Sequence, residues 1–309
     1  MQRQGLKIAK IRTSLLFSVA LGLAATSFAA DNTFERTLSV NGPVTLRVNT
    51  GSGYIHVFPS SDKQVRITGH VKAGNNWFGG DSSDSVSQIV SNPPIEQAGN
   101  IIRIGSRQSE GFLRRVNIDY DIKTPADTIL TAQTGSGDVQ LADIKSTVKV
   151  ETGSGNIRAD RLGSGSKLET GSGSIEANGL AGASILQTGS GEIRGQFSAP
   201  GDVTAGTGSG SVQLRNVQGG LKVETGSGSL DITGQPTSAW KLETGSGNIT
   251  LGLGNARFTL DAETGSGSIK SDLPLQMQGS MDKHHVTGMV NGGGPTLKVE
   301  TGSGDIRIH

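Results

Sequence analysis

The sequence predicts an all-β chain: a right-handed parallel β-helix (β-solenoid) of about 18–20 residues per coil, with an irregular β N-terminal cap. Three observations predict it. First, Thr-Gly-Ser-Gly begins at residues 50, 134, 152, 170, 188, 207, 225, 244, 264 and 301, and the spacings from 134 to 264 are 18, 18, 18, 19, 18, 19 and 20. A random Gly/Ser-rich linker keeps no such register. Second, apolar and polar residues alternate on both sides of each motif, the period of a half-buried strand. Third, Gly is abundant (47 residues) while aromatic residues are only 4% of the chain. A thin stack of coils needs few large apolar side chains, because every residue lies near its surface.

Residues 1–29 read as an export leader. Arg3, Lys7, Lys10 and Arg12 precede an apolar run from Leu15 to Ala25, eleven residues and too short to span a bilayer. Small residues Ser27 and Ala29 place cleavage after Ala29. Residues 1–30 hold four basic and no acidic groups, so the remaining chain has 28 − 4 = 24 basic against 27 acidic residues, a net of −3. That balance argues against polyanion binding, and basic residues are not clustered with aromatics, so no nucleic-acid partner is expected. With no cysteine, disulfides, thiolate metal sites and a lipidated Cys are all excluded. No later run is long enough for a membrane-spanning helix. The expected destination is the periplasm or the cell exterior.

Residues 30–130 read as an N-terminal β cap with a first irregular coil around Thr50-Gly51-Ser52-Gly53. Within it, 73–93 is polar and rich in Gly, Ser and Asp, the composition of a long loop. A cap is needed because an open sheet edge invites polymerisation.

Residues 131–309 carry the repeats. In Leu221-Lys222-Val223-Glu224-Thr225, the turn, then Ser229-Leu230-Asp231-Ile232, the residues Leu221, Val223, Leu230 and Ile232 share one face. Val148, Val150 and Ile157, Leu168 and Ile175, and Leu242, Ile249 and Leu251 repeat that frame. A third apolar position at Ile144, Leu162, Leu180 and Val217 implies three sides per coil. Parallel crossovers are nearly always right-handed, which sets the expected hand. Pro200 and Pro236 fall between motifs, where loops are expected.

The motif itself reads as the corner of a coil. Its structural glycines are Gly135 and Gly137, Gly153 and Gly155, Gly171 and Gly173, Gly189 and Gly191, Gly208 and Gly210, Gly226 and Gly228, Gly245 and Gly247, Gly265 and Gly267, and Gly302 and Gly304. Stacked coils lie about 4.8 Å apart, so a bulky corner residue would meet its own copy above and below. Thr and Ser hydroxyls there are expected to form ladders. The 37-residue gap between Thr264 and Thr301 reads as two periods with one motif lost, and 271–293 as a bulged coil or lateral excursion.

Both ends carry a family resemblance. Val116-Asn117-Ile118-Asp119-Tyr120-Asp121-Ile122-Lys123-Thr124-Pro125, then Thr128 to Thr134, resembles the bacterial "putative adhesin" family, a domain of unknown function. Val286-Thr287-Gly288 to Gly294 is similar to that family's C-terminal end, and the resemblance covers most of 35–309. It implies an exported β-solenoid, sometimes linked with envelope-stress functions, and brings no catalytic residues with it.

The candidate binding face is a pair of charged columns just before the turns: Lys149 and Glu151, Lys167 and Glu169, Lys222 and Glu224, Lys241 and Glu243. Like charges stacked at strand spacing repel, and the neighbouring column of opposite sign offsets this. A calcium ladder would need an Asp in each turn, whereas the position after the turn varies through Asp138, Asn156, Ser174, Glu192 and Ser211. The histidines His56, His70, His284, His285 and His309 show no chelating spacing. No catalytic, cofactor or metal site is therefore expected. Gly-Ser-Gly followed by no third Gly and no helix is not a dinucleotide fingerprint. The expected function is non-enzymatic: an adhesin-like or structural solenoid of the envelope, with envelope glycans or surface proteins as partners. The rivals are a polysaccharide-acting β-helix enzyme, for which Trp77 and Trp240 could stack on sugars, and an envelope-stress regulatory accessory protein.

Overall fold

Alternating apolar residues form strands through most of the described residues, and the pairing between coils is parallel. The computed structural model describes residues 32–73, 82–105, 116–277 and 282–309. The leader at 1–29, the cleavage point after Ala29, and Trp77 in the 73–93 segment lie outside the described residues. The N-terminal strands are β1 (Thr33–Ser39), β2 (Val44–Thr50), β3 (Ile55–Ser60), β4 (Gln64–Ala73), β5 (Ile95–Ala98), β6 (Ile101–Ile104) and β7 (Val116–Pro125). The repeats give β8 (Thr128–Thr134), β9 (Val139–Ala142), β10 (Val148–Thr152), β11 (Ile157–Asp160), β12 (Ser166–Thr170), β13 (Ile175–Leu180), β14 (Ser184–Thr188), β15 (Ile193–Phe197) and β16 (Val203–Thr207). Two long strands follow, β17 (Val212–Thr225) and β18 (Leu230–Ser246), then β19 (Ile249–Gly252), β20 (Phe258–Ser266), β21 (Ile269–Ser271), β22 (Leu275–Met277), β23 (His285–Val290), β24 (Thr296–Ser303) and β25 (Ile306–Ile308).

One parallel stack lies before the motif and runs β6, β2, β8, β10, β12, β14, β16, β17, β18, β24, β20. A second lies after it and runs β7, β3, β9, β11, β13, β15, β17, β18, β19, β25, β21. Motif sits on motif: Thr152 pairs with Thr134 on one side and Thr170 on the other. The third side is short. There Ile144, Leu162, Leu180 and Val217 are buried, and Gly163 N–H donates to Ile144 O at 2.8 Å. In β17 and β18 this third side is itself strand, so both strands belong to both stacks. The core is the interior of the coils, a continuous file mainly of Val, Ile, Leu and Ala, and it extends past Tyr120 into the cap at Phe34, Ile67, Val71 and Ile89.

Chain order and stacking order disagree at both ends. The coil β2–β3 lies between β6–β7 and β8–β9, although 101–125 and 128–142 are consecutive in sequence. The coil β24–β25 lies between β18–β19 and β20–β21. The reading of the 37-residue gap as two periods with a lost motif is thereby corrected. No coil is missing; Thr301 doubles back into the step between Thr244 and Thr264. Antiparallel strands finish the ends. β23 covers β20 and β22 covers β23, β5 covers β6, and β4 then β1 extend beyond β7. Covering the parallel edges this way removes templates for edge-to-edge pairing.

Two further expectations change, at 73–93 and at Pro236, and the lateral excursion expected at 271–293 becomes specific. The 73–93 segment is not loop throughout, because Ser82–Ser91 forms helix α1, with Val86 and Ile89 buried three residues apart. That spacing puts both on one helical face, and α1 covers β4. The 271–293 segment holds the β22–β23 antiparallel pair. Pro236 lies inside β18 rather than in a loop, opposite Gly219 on the third side, where the register shifts between Gly219 and Leu221. A proline is tolerated at such an irregularity because the ladder bond it cannot donate is already interrupted.

Candidate functional site: the Lys–Glu face beside the Thr-Gly corner

The corner is held by its threonine. Every motif Thr is buried. Thr152 Oγ1 donates to Gly137 O at 3.0 Å, Thr170 to Gly155 O at 2.8 Å, Thr188 to Gly173 O at 2.7 Å and Thr244 to Gly228 O at 2.9 Å, each across one coil boundary. The same hydroxyl accepts from its own turn, as Gly173 N–H does to Thr170 Oγ1 at 3.1 Å. The ladder is thus Thr to Gly carbonyl rather than hydroxyl to hydroxyl, and the intervening Ser faces solvent. The second Gly of each motif is obligatory for space. A Cβ on Gly155 or Gly173 would overlap the carbonyl of the equivalent Gly one coil back.

A second ladder follows the turn. Asn156 N–H donates to Asp138 Oδ1 at 2.7 Å, Ser174 N–H to Asn156 Oδ1 at 2.9 Å, Glu192 N–H to Ser174 Oγ at 3.2 Å, and Asp305 N–H to Asn248 Oδ1 at 2.9 Å. These positions vary in residue type but share a side-chain oxygen near the backbone, the property that satisfies an otherwise unpaired N–H.

On the outward face the two charged columns pair within each strand. Lys149 Nζ lies 2.6 Å from Glu151, Lys167 2.9 Å from Glu169, Lys222 2.9 Å from Glu224, Lys241 2.6 Å from Glu243 and Lys298 2.6 Å from Glu300. Residues i and i+2 of a strand point the same way, which is what brings each pair together. The hydrogen bond from Lys149, then that from Gln133, holds the Glu151 carboxyl below the usual range, and Lys298 does the same for Glu300. The partner ammonium groups of Lys149, Lys222 and Lys298 are raised, chiefly by the same hydrogen bonds. A shallow groove runs between the glutamates and the Thr-Gly corner, lined among others by Glu224, Glu243, Glu300 and Glu263 on successive coils. A separate, smaller concavity at the other end of the same face is lined by Asn49, Gln133 and Glu151. The structure therefore gathers all eight sequence-singled charges on one face.

One cluster was not legible in the sequence. His56 Nδ1 lies 2.9 Å from Asp121 Oδ1, His70 Nε2 lies 3.1 Å from Asp121 Oδ2, and Tyr54 OH donates to Asp121 Oδ2 at 3.0 Å. The Tyr54 and His56 rings stack with centroids 4.2 Å apart. Burial, then the hydrogen bond to Asp121, pushes the Tyr54 hydroxyl up to about 12. The antiparallel pairing of β4 on β7 and the parallel pairing of β3 on β7 create this meeting, which spacing along the chain does not reveal. Among the described residues, no group of three or more His, Asp or Glu side chains is arranged to hold a metal ion. Trp240 is buried, its Nε1 donating to Gly219 O at 2.8 Å, so it offers no indole surface to a sugar. No helix among the described residues is long and apolar enough to cross a membrane.

Stacked parallel coils, antiparallel end strands and a repeated charged face define a capped, strand-built scaffold of the β-helix type. The chain belongs to the Toastrack DUF4097 family, whose model matches residues 45–309. No curated protein matches it. Among solved structures, it is 15% identical to a "putative adhesin" from Bacteroides fragilis, with a TM-score of 0.42 over 90% of this chain and 97% of that one. It is 12% identical to a "putative cell adhesion protein" from Clostridium sporogenes, with a TM-score of 0.26 over 89% and 97% of the two chains.

Proposed function

We propose that this chain is an exported, non-enzymatic β-solenoid of the bacterial cell envelope or surface, right-handed with coils of 18–20 residues, that binds or braces envelope glycans or surface proteins through its Lys–Glu face. The observation that carries this reading is the repetition of one Lys–Glu pair beside a continuous groove on consecutive coils. Identical weak sites at strand spacing favour an extended, repetitive ligand, because contacts made along one rigid face add up. Two carboxylates on this face favour binding over acid–base turnover. A general acid working near neutral pH needs a raised pKa, whereas Glu151 and Glu300 are held low by their lysines.

The test is a binding screen of the purified protein against envelope glycans and cell-surface fractions. Binding that weakens on Lys222→Glu with Lys241→Glu, and weakens with added salt, supports the reading. Turnover of an acidic polysaccharide, lost on changing one carboxylate, would replace it with the enzyme alternative.

A further inference from the structure

The coil β24–β25 is read by its neighbours from both sides. Glu300 stands in register between Glu243 and Glu263. Thr301 Oγ1 donates to Gly247 O at 2.9 Å on one side, and Thr264 Oγ1 donates to Gly304 O at 2.9 Å on the other. Asp305 N–H donates to Asn248 Oδ1 at 2.9 Å, and Ser268 N–H to Asp305 Oδ1 at 2.8 Å. Leu297, Val299, Ile306 and Ile308 fill the interior with no exposed surface. The slot between β18–β19 and β20–β21 is thus a binding site whose ligand is the segment 296–309.

The link that delivers this segment is short and bent. Residues 291–295 carry the chain from β23, outside β20, to β24 on its inner side. Three consecutive residues there are left-handed: Asn291 at φ 53°, Gly292 at 86° and Gly293 at 80°. Left-handed geometry strains a non-glycine residue such as Asn291. Short strained links of this kind favour exchange, since two copies can trade the segment, keep every contact and relax the link. The flanking motifs are 20 residues apart, an ordinary coil step, so β18 and β20 can close upon each other while the segment is out. Glu243 and Glu263, Thr244 and Thr264 are already aligned for that closure by their common partners Glu300 and Thr301.

We propose that coil 296–309 is an exchangeable element that seats in the slot of a second copy of this chain, joining two solenoids by reciprocal insertion. The partner is a second copy because the slot's hydrogen bonds and register match that segment residue by residue. This goes beyond the binding role above: it concerns the chain's own association, and neither reading depends on the other.

Because the chain has no cysteine, disulfide trapping tests this cleanly. Glu243→Cys and Glu300→Cys are made as two separate single variants, mixed at high concentration and oxidised. A 243–300 disulfide between chains needs the Cα atoms within about 7 Å, which requires the segment of one copy in the slot of the other. The expected result is a covalent heterodimer about tenfold above that from Glu169→Cys mixed with Glu300→Cys, whose sites are never adjacent. Adding Gly292→Ala with Gly293→Ala, which places side chains on two left-handed residues, should raise the yield. A Cβ at Gly292 meets only Arg257 Nη2 at 3.5 Å, so its effect is backbone strain. The double variant within one chain must close an internal disulfide, which verifies fold and reach. Heterodimer at the control level, a yield unmoved by the link variants, or no internal disulfide in the double variant overturns the proposal.

Discussion

The hydroxyl of Thr170 donates to the carbonyl oxygen of Gly155 at 2.8 Å, one coil away, while accepting the N–H of Gly173 in its own turn. One buried atom therefore joins two coils and closes a corner. Thr170→Val keeps the shape, removes both bonds and orphans a buried donor and acceptor. The expected loss is about 2 kcal/mol, read as a lower urea midpoint. Thr170→Ser, which keeps the hydroxyl, should lose less.

The glycines of this chain should separate into two classes. At Gly173 an added Cβ overlaps the Gly155 carbonyl, and backbone cannot move aside as a side chain could. Gly173→Ala is expected to cost about 3 kcal/mol by overpacking. At Gly206 the nearest atom would be Glu224 O at 3.8 Å, ordinary contact. Gly206→Ala should be neutral or slightly stabilising, since it also restricts the unfolded chain. Thermal melts of the two variants check both.

The stacking order at the C-terminal end predicts which cysteines can bridge. Thr250 pairs with Arg307, and Arg307 with Lys270. Thr250→Cys with Arg307→Cys should form an internal disulfide. Thr250→Cys with Lys270→Cys should not, because two strand spacings, about 9.6 Å, separate them. Sequence order alone would predict the reverse, and mass spectrometry of non-reduced digests decides.

Acid should weaken the fold through its paired carboxylates. The hydrogen bond from Arg215 holds the Asp231 carboxyl below its ordinary value against an opposing desolvation effect. A depressed pKa gives stability that is present above the unfolded value and lost as pH falls through the folded one. The melting temperature should therefore decline from about pH 5 downward, and Asp231→Asn should make that decline shallower.

Alkali probes the other end. Tyr54 is pushed from 10.0 up to about 12, by burial first and then by Asp121, and burial pushes Tyr120 higher still. A raised tyrosine pKa means stability that is complete below the unfolded value and lost as pH rises above it. Ultraviolet titration should show no tyrosinate near pH 10 while the protein stays folded, and Asp121→Asn should bring Tyr54 down.

Much of this was legible in the sequence, for a physical reason. A coil that stacks on itself repeats the same steric demand at every step, so Thr170, Gly173 and Leu168 recur at Thr188, Gly191 and Leu186. The Lys–Glu face was readable because same-facing residues in a strand are two apart. The insertion of β24 between β18 and β20 was hidden, because Thr264 follows Thr244 at an ordinary coil step and nothing local marks an interruption. Helix α1 was masked by a serine-rich composition typical of loops, with only Val86, Ile89 and Val90 as its apolar stripe. The meeting of His56 and His70 on Asp121 depends on strands β3, β4 and β7 approaching from different parts of the chain.

The doubled-back coils at both ends leave the middle as the adjustable part of the described scaffold. A coil added beyond β6 or β20 would collide with strands that already close the sheet. One 18-residue unit spliced out between Thr152 and Thr170, or duplicated there, meets neighbours of the same motif register above and below. The chain thus behaves as a ruler with fixed end-plates, whose reach can be lengthened or shortened by single rungs from within.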